Sequence, residues 1–352
     1  MVNTGYLQSL FYGDETQYGS AAVINKSIGL VQSISPTETN NLIKVRTLGG
    51  SRDYSNIVPG RFEISGNFEY YIQDGSFLKY AIGEAVSTAH STTNYRHTMG
   101  AGDSPLADKF PSFTLEFADT EDDGTAADTK NLHRLYTGCR VNTLSVSGSV
   151  DEPVSVTSEF MAQGVKISTA EATSVSESAK DPFVFYQGRI YATSGSIDHN
   201  TVLTSDDAIC EVNSFEFSVN NNLEAIWYIS GTCAPEQTPR GLRALVAKGR
   251  DYEGNVEIHF SDRKMYQRFL GSNTATQGGF DLDKYQIVLD FVRGGAISAT
   301  PTNEDDYMRI ILKDVAFEEN TIPGAPEDVV TQSLSLSIEK ANIHVVDDIA
   351  AY

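Results

Sequence analysis

Tryptophan and cysteine are scarce in this chain, and long apolar runs are missing. Its 352 residues include one tryptophan, Trp227, and three cysteines, Cys139, Cys210 and Cys233. The cysteine number is odd and no pair has metal or redox spacing, so no disulfide framework or zinc site is written here. The three read as reduced thiols packed as small apolar groups. Trp227 lies in an apolar run with Ile226, Tyr228 and Ile229 and reads as core or subunit interface. No stretch has the apolar length that spans a bilayer as a helix. The first residues show no basic start followed by an apolar run, so the expectation is folding in a cytoplasm. Basic residues are outnumbered, 26 against 47 acids, for a net charge of -21. Such a surface repels phosphate and argues against sequence-specific nucleic-acid binding.

Catalytic signatures are missing too. The six histidines (His90, His97, His133, His199, His259 and His344) include no His-Glu-x-x-His pair and none at zinc spacing. There is no Gly-x-Ser-x-Gly elbow and no phosphate-cradling loop ending in Lys-Ser or Lys-Thr. The run from Asp119 to Gly124 alternates acids before a glycine, as a calcium loop does, but its twelfth position is Lys130, where a bidentate glutamate is required. Among so many acids nothing singles out a pair for acid–base work. The expectation is a protein that is not an enzyme, with no catalytic, cofactor-binding or metal-ligating residue.

What the chain does have is two-residue alternation. Aromatic residues are 10% of it, with 17 Tyr and 17 Phe, which suits strands. Phe113, Leu115 and Phe117 alternate with Thr114 and Glu116. Leu144, Val146 and Gly148 share a face, as do Phe215, Phe217 and Val219, and Leu334, Leu336 and Ile338. Each run predicts a half-buried strand. Two short helices are predicted, over 74–83 and 262–271. Asp74 and Asp262 are the candidate N-terminal caps, and Gly83 and Gly271 the candidate closing residues. Phe77, Leu78, Ala81 and Ile82 form the apolar face of one; Met265, Tyr266, Phe269 and Leu270 form that of the other.

These helices expose an internal repeat. Residues 66–83 align without a gap with residues 254–271: Gly66 with Gly254, Asn67 with Asn255, Glu69 with Glu257, Asp74 with Asp262, Gly83 with Gly271. Further on, Leu115-Glu116-Phe117 corresponds to Leu289-Asp290-Phe291 and Val141 to Val315. Upstream, Ile34-Ser35 loosely matches Phe217-Ser218. The expected organisation is an N-terminal arm, 1–25; a first domain, 26–167; a Ser/Thr/Ala/Glu-rich linker and loop region, 168–208; a second domain, 209–345; and a C-terminal tail, 346–352.

A half-unit of two strands, a short capped helix and further strands resembles the tail tube (major tail) proteins of long-tailed bacteriophages and archaeal tailed viruses, in a duplicated form. The resemblance rests on residues 60–83 and 139–164 and their repeats 254–271 and 313–343. It implies a mainly β fold: two similar tail-tube-like β-sandwich or half-barrel domains, each flanked by a short α-helix, joining across subunits into a continuous β-barrel channel. It implies a structural virion protein whose stacked rings conduct the genome into the host. A trimer would give a pseudo-sixfold ring, with a hexamer as the alternative. Implied partners are further copies of itself and tail terminator, tape measure and baseplate proteins. DNA would pass through the lumen without specific binding, and no membrane is involved. The implied location is the virion tail, assembled in the host cytoplasm. An acidic wall would keep DNA from sticking; Glu63, Glu69, Glu116, Glu159, Glu216, Glu257, Asp290 and Glu339 are the candidate lumen acids. Residues 2–25, 84–109 and 190–207 are long polar stretches suited to bridging rings. The competing readings are a tail-tip or baseplate hub component, and a non-viral β-sandwich carbohydrate-binding or adhesive module.

Overall fold

The computed structural model describes residues 8–48, 52–100, 109–119, 131–168, 172, 174–205, 207–227, 240–294, 297–324 and 329–352. The regular elements are almost all strands. The first half contains β1 (Gln8–Asp14), β2 (Lys26–Ser27), β3 (Leu30–Val45), β4 (Asn56–Tyr71), α1 (Lys79–Ile82), β5 (Val86–Ala89), β6 (Tyr95–Gly100), β7 (Phe113–Asp119), β8 (Leu132–Ser149), β9 (Ser155–Ala162) and β10 (Gly164–Ser168). The second contains β11 (Gly188–Thr193), β12 (Ala208–Ile209), β13 (Val212–Asn220), β14 (Glu224–Ile226), β15 (Ala244–Val246), β16 (Asp251–His259), α2 (Lys264–Leu270), β17 (Tyr285–Val292), β18 (Tyr307–Thr321), β19 (Thr331–Ile338) and β20 (Lys340–Asp347).

An eight-stranded antiparallel sheet, ordered β3-β4-β9-β8-β13-β16-β19-β18, runs through both halves. Two smaller sheets lie against one side of it: β2-β1-β7-β8-β10, and β12-β11-β17-β18-β20-β6-β5. β8 and β18 are long enough to serve two sheets each. Among the described residues every sheet is open, and no barrel closes within one chain. The core fills the space between layers. Phe68 of the large sheet and Phe113 of the small one both meet Phe77, at ring separations of 5.3 and 5.2 Å. In the second half Phe215 meets Phe291 at 5.5 Å.

The two halves of the large sheet repeat their irregularities. Pairing slips between Val31 and Ser33 and again between Val212 and Ser214. It slips between Val141 and Thr143 and again between Phe317 and Glu319. In the second layer it slips between Phe113 and Leu115, and between Tyr285 and Ile287. Matching these bulges puts Leu115 with Ile287, Val141 with Phe317 and Ile34 with Phe215. Each is two residues from the sequence expectation. A slip of two restores the same face of a strand, so alternation alone does not register it.

The helices are shorter than expected. α1 begins at Lys79, its N-cap position is Leu78, and no side chain caps it. Asp74 instead closes the preceding turn, accepting from the Ser76 amide at 3.0 Å and its hydroxyl at 2.6 Å. Asp262 accepts the Lys264 amide at 2.8 Å, one residue ahead of the N-cap Arg263. Gly83 and Gly271 follow the two helices with φ of 122° and 128°, a region that favours glycine. Part of the expected N-terminal arm is β1, which pairs along its whole length with β7. Residue 176 of the linker is tied to β2: the Ser27 amide donates to Ser176 and the Ser176 amide to Asn25. Cys139 is buried as expected, Cys210 is exposed, and Cys233 lies outside the described residues, as do residues 120–130 of the acidic loop.

Candidate assembly surface

The side of the large sheet turned away from the core forms one continuous polar face. Direct cross-strand partners share a face, so the registers define its rows. One row runs Ser33, Glu69, Thr157, Ser145, Ser218, Glu253, Ser337, Ala316. The next runs Tyr71, Ser155, Ser147, Glu216, Asn255, Ser335, Glu319. Others carry Glu63 beside Thr39, Glu159 beside Asn67 and Thr143, and Glu257 beside Ser214 and Ser333. Hydroxyls hold several of the acids down. Thr143 donates to Glu159 at 2.7 Å and Ser145 to Glu216 at 2.8 Å.

The face is acidic. Arg61 and Arg140 lie at its margins, and both are engaged. Arg61 pairs with Glu63 at 3.2 Å and lies 5.3 Å from the ring of Trp227, which is half-buried. The Arg140 guanidinium covers the rings of Tyr18 and Phe110 and donates to the Leu245 carbonyl. His259, at the end of β16, is exposed.

Five of the eight candidate acids therefore share this face: Glu63, Glu69, Glu159, Glu216 and Glu257. Glu339 stands just past the end of β19 and pairs with Lys284 at 2.8 Å and Lys340 at 3.5 Å. Glu116 and Asp290 are not on this face. They belong to β7 and β17 in the second layer, on the side that other chain segments cover. Glu116 is buried and accepts the Ala172 amide at 3.2 Å. Asp290 is buried against Arg309, with both carboxylate oxygens bonded, at 2.7 and 2.8 Å. Burial, only partly offset by Arg309, pushes the Asp290 carboxyl above its ordinary range. Asp251, Glu253 and Glu319 complete the acidic face and were not anticipated. The signal for Asp251 and Glu253 was parity with Glu257 along one strand.

The large sheet ends in two open edges, β3 and β18. β3 and β4 also run on together beyond the sheet. β9 covers β4 only from Ile64 to Tyr71, while β3 and β4 stay paired out to Val45 and Asn56. This projecting hairpin exposes Leu42, Ile43 and Ile57, each more than half accessible, and Leu48 at its tip. Described parts of the stretches expected to bridge rings pack on the fold. β5 and β6 add to the edge of β20, and residues 194–205 lie over the second layer, where Ile197 and Leu203 pack on Val288 and Ile311.

Among the described residues no group of three or more His, Cys, Asp or Glu side chains is arranged to hold a metal ion. Among curated proteins none matches this sequence. The profile of the phage tail tube protein family matches residues 5–339, nearly the whole chain. The open mainly β sheets and that match agree: the chain belongs to the phage tail tube protein family, structural components of the virion tail that self-assemble into a tube with other tail proteins.

Proposed function

We propose that three copies of the chain close each ring of the tube, every copy supplying two tube domains, residues 26–167 and 209–345. The observation that carries this is the eight-stranded sheet, made of two four-strand sets with the same order and the same bulges. Inside the chain the sets meet where β8 pairs with β13. The same join repeated between copies sets β18 of one against β3 of the next. It removes both open edges and lets a head-to-tail interface close by rotation. The acidic face then lines the lumen, where it repels DNA moving toward the host. The projecting β3–β4 hairpin, with its exposed Leu42, Ile43 and Ile57, supports stacking of one ring on the next. In this reading assembly takes place in the host cytoplasm, with terminator, tape measure and baseplate proteins completing the tail, and the protein has no catalytic role.

Native mass spectrometry and end-on electron micrographs test the stoichiometry. Trimeric rings with six similar lobes are expected. Six chains per ring, or a protein that stays monomeric at assembly concentrations, would overturn the reading.

A further inference from the structure

In the first half, the ends of β4 and β9 are covered by chain from the linker. Phe183 inserts between Ile72 and Val154: its N–H donates to the Ile72 carbonyl at 3.0 Å, and its carbonyl accepts from the Val154 N–H at 2.8 Å. All three side chains are fully buried. The Ile72 N–H also donates to the Val154 carbonyl, at 3.2 Å.

The second half has the same receptor without the insert. Phe260 follows β16 as Ile72 follows β4, and its N–H donates to the Val330 carbonyl at 2.9 Å. Here Phe260 and Val330 are each 40% exposed and the adjacent Val329 is 74% exposed. Among the described residues nothing donates to the Phe260 carbonyl or accepts from the Val330 N–H.

We propose that residues 1–7 of a second copy fill this receptor. The argument is positional. Phe183 lies shortly before β11, whose place in the first half is held by β1, Leu10 matching Ile190 through their pairing with β7 and β17. The chain that precedes β1 is therefore the counterpart of the chain that carries Phe183. Within one copy the counterpart receptor is already filled by Phe183. The bare one is at the other end of the chain, where the β18-to-β3 join brings the next copy. On this match Phe183 falls at Asn3, with Val2, Tyr6 and Leu7 as the neighbouring apolar side chains. The added strand satisfies the open carbonyl and N–H and covers Phe260, Val329 and Val330. The proposal rests on the ring reading above.

Disulfide trapping tests it. Cys210→Ser and Cys233→Ser remove background thiols, and Asn3→Cys or Val2→Cys is combined with Val330→Cys. Oxidised assembled protein is expected to run as linked dimers and trimers on a non-reducing gel, with no linkage in the single-cysteine controls. Rings that form without any linkage, or a bridge closed within one chain, would overturn the docking proposal while leaving the ring reading intact. A parent protein that forms no rings would overturn both. Deletion of residues 1–6 provides a second readout: ring yield should fall at least tenfold with the monomer's thermal transition unchanged. Unaltered ring yield would refute the proposal.

Discussion

Replacing Arg309 with leucine is a stringent test of how the second layer is held. Arg309 is 1% exposed, and its guanidinium makes five bonds. Two go to Asp290, at 2.7 and 2.8 Å. Three more reach the carbonyls of Asp198, His199 and Thr201, at 2.9, 3.3 and 2.9 Å, and so clamp the segment 194–205 onto the sheet. Leucine keeps most of the volume but leaves the Asp290 carboxylate buried without its partner. Removing one member of a buried ion pair costs about 3–5 kcal/mol. The clamped segment is at the surface and can open to admit water, so about 3 kcal/mol is the expected loss at pH 7. The pH dependence has a definite sign. Asp290 is an acid whose folded-state pKa burial already raises, and loss of Arg309 raises it further. Ionisation then opposes folding, so the deficit of Arg309→Leu should shrink as pH falls toward the ordinary carboxylate range. The assay is urea unfolding of unassembled protein, followed by circular dichroism at pH 7 and pH 5. Adding Asp290→Leu should recover most of the loss at pH 7. A deficit under about 1 kcal/mol, or one that ignores pH and is not rescued by Asp290→Leu, would refute the reasoning.

Phe77→Ala empties the centre of a ring cluster in which Tyr12, Phe68, Tyr80 and Phe113 all lie within 5.1 to 5.4 Å. It should cost about 3–5 kcal/mol in the same unfolding assay. Asp14 is partly buried, which opposes ionisation, yet Lys79 at 3.0 Å and Lys26 at 2.8 Å hold its pKa at about 2. Its folded pKa is depressed, so its contribution is present above about pH 4 and fades as pH falls toward 2; Asp14→Asn should cost about 1 kcal/mol at pH 7, after discounting for exposure, and almost nothing at pH 2. Glu216→Lys, Glu253→Lys and Glu257→Lys together should leave tubes intact but make them retain DNA on a filter at low salt, with retention lost as salt is raised. Tubes of this variant that still ignore DNA would count against a lumen-facing role for these residues.

The strands were legible because each places apolar residues on one side in two-residue alternation. Phe113, Leu115 and Phe117 lie in β7, and Leu334, Leu336 and Ile338 in β19, as their alternation with polar residues requires. Alternation says which side of a strand is apolar, however, and not what covers the other side. That is why Glu116 and Asp290 looked solvent-facing: residue 172 of the linker and the segment 194–205 cover them, and no periodicity announces those contacts. Alternation is also blind to a two-residue slip, so the correspondence read from sequence for the later strands stands two residues from the one their bulges give. Only the bulges locate the repeat there, and a bulge has no fixed residue signature. The helices were overextended because Asp74 and Gly83 bracket a turn and a four-residue helix in succession, and the same bracket fits one longer helix.

Cross-strand neighbours on the acidic face obey a rule that constrains how copies join. Glu63 faces Thr39; Glu69 faces Ser33 and Thr157; Glu159 faces Asn67 and Thr143; Glu216 faces Ser147 and Asn255; Glu253 faces Ser218 and Ser337; Glu257 faces Ser214 and Ser333; Glu319 faces Ser335. No acid stands directly opposite another, which limits the repulsion that like charges impose on paired strands. If the join between copies copies the β8–β13 register, the pairing of Ser145 with Ser218 becomes Thr321 with Thr37 of the next copy, and Glu319 meets Thr39. The rule then holds around the whole ring. The register can be tested by charge, because within one chain Thr37 faces only Ser65 and Thr321 only Ser333. Thr37→Glu with Thr321→Glu should leave the monomer folded and reduce ring yield severalfold. Thr37→Lys with Thr321→Glu should restore it, with the difference between the two variants shrinking in high salt. Equal ring yields from both double variants at low salt would show that these residues do not meet, and with that the inherited register would fail.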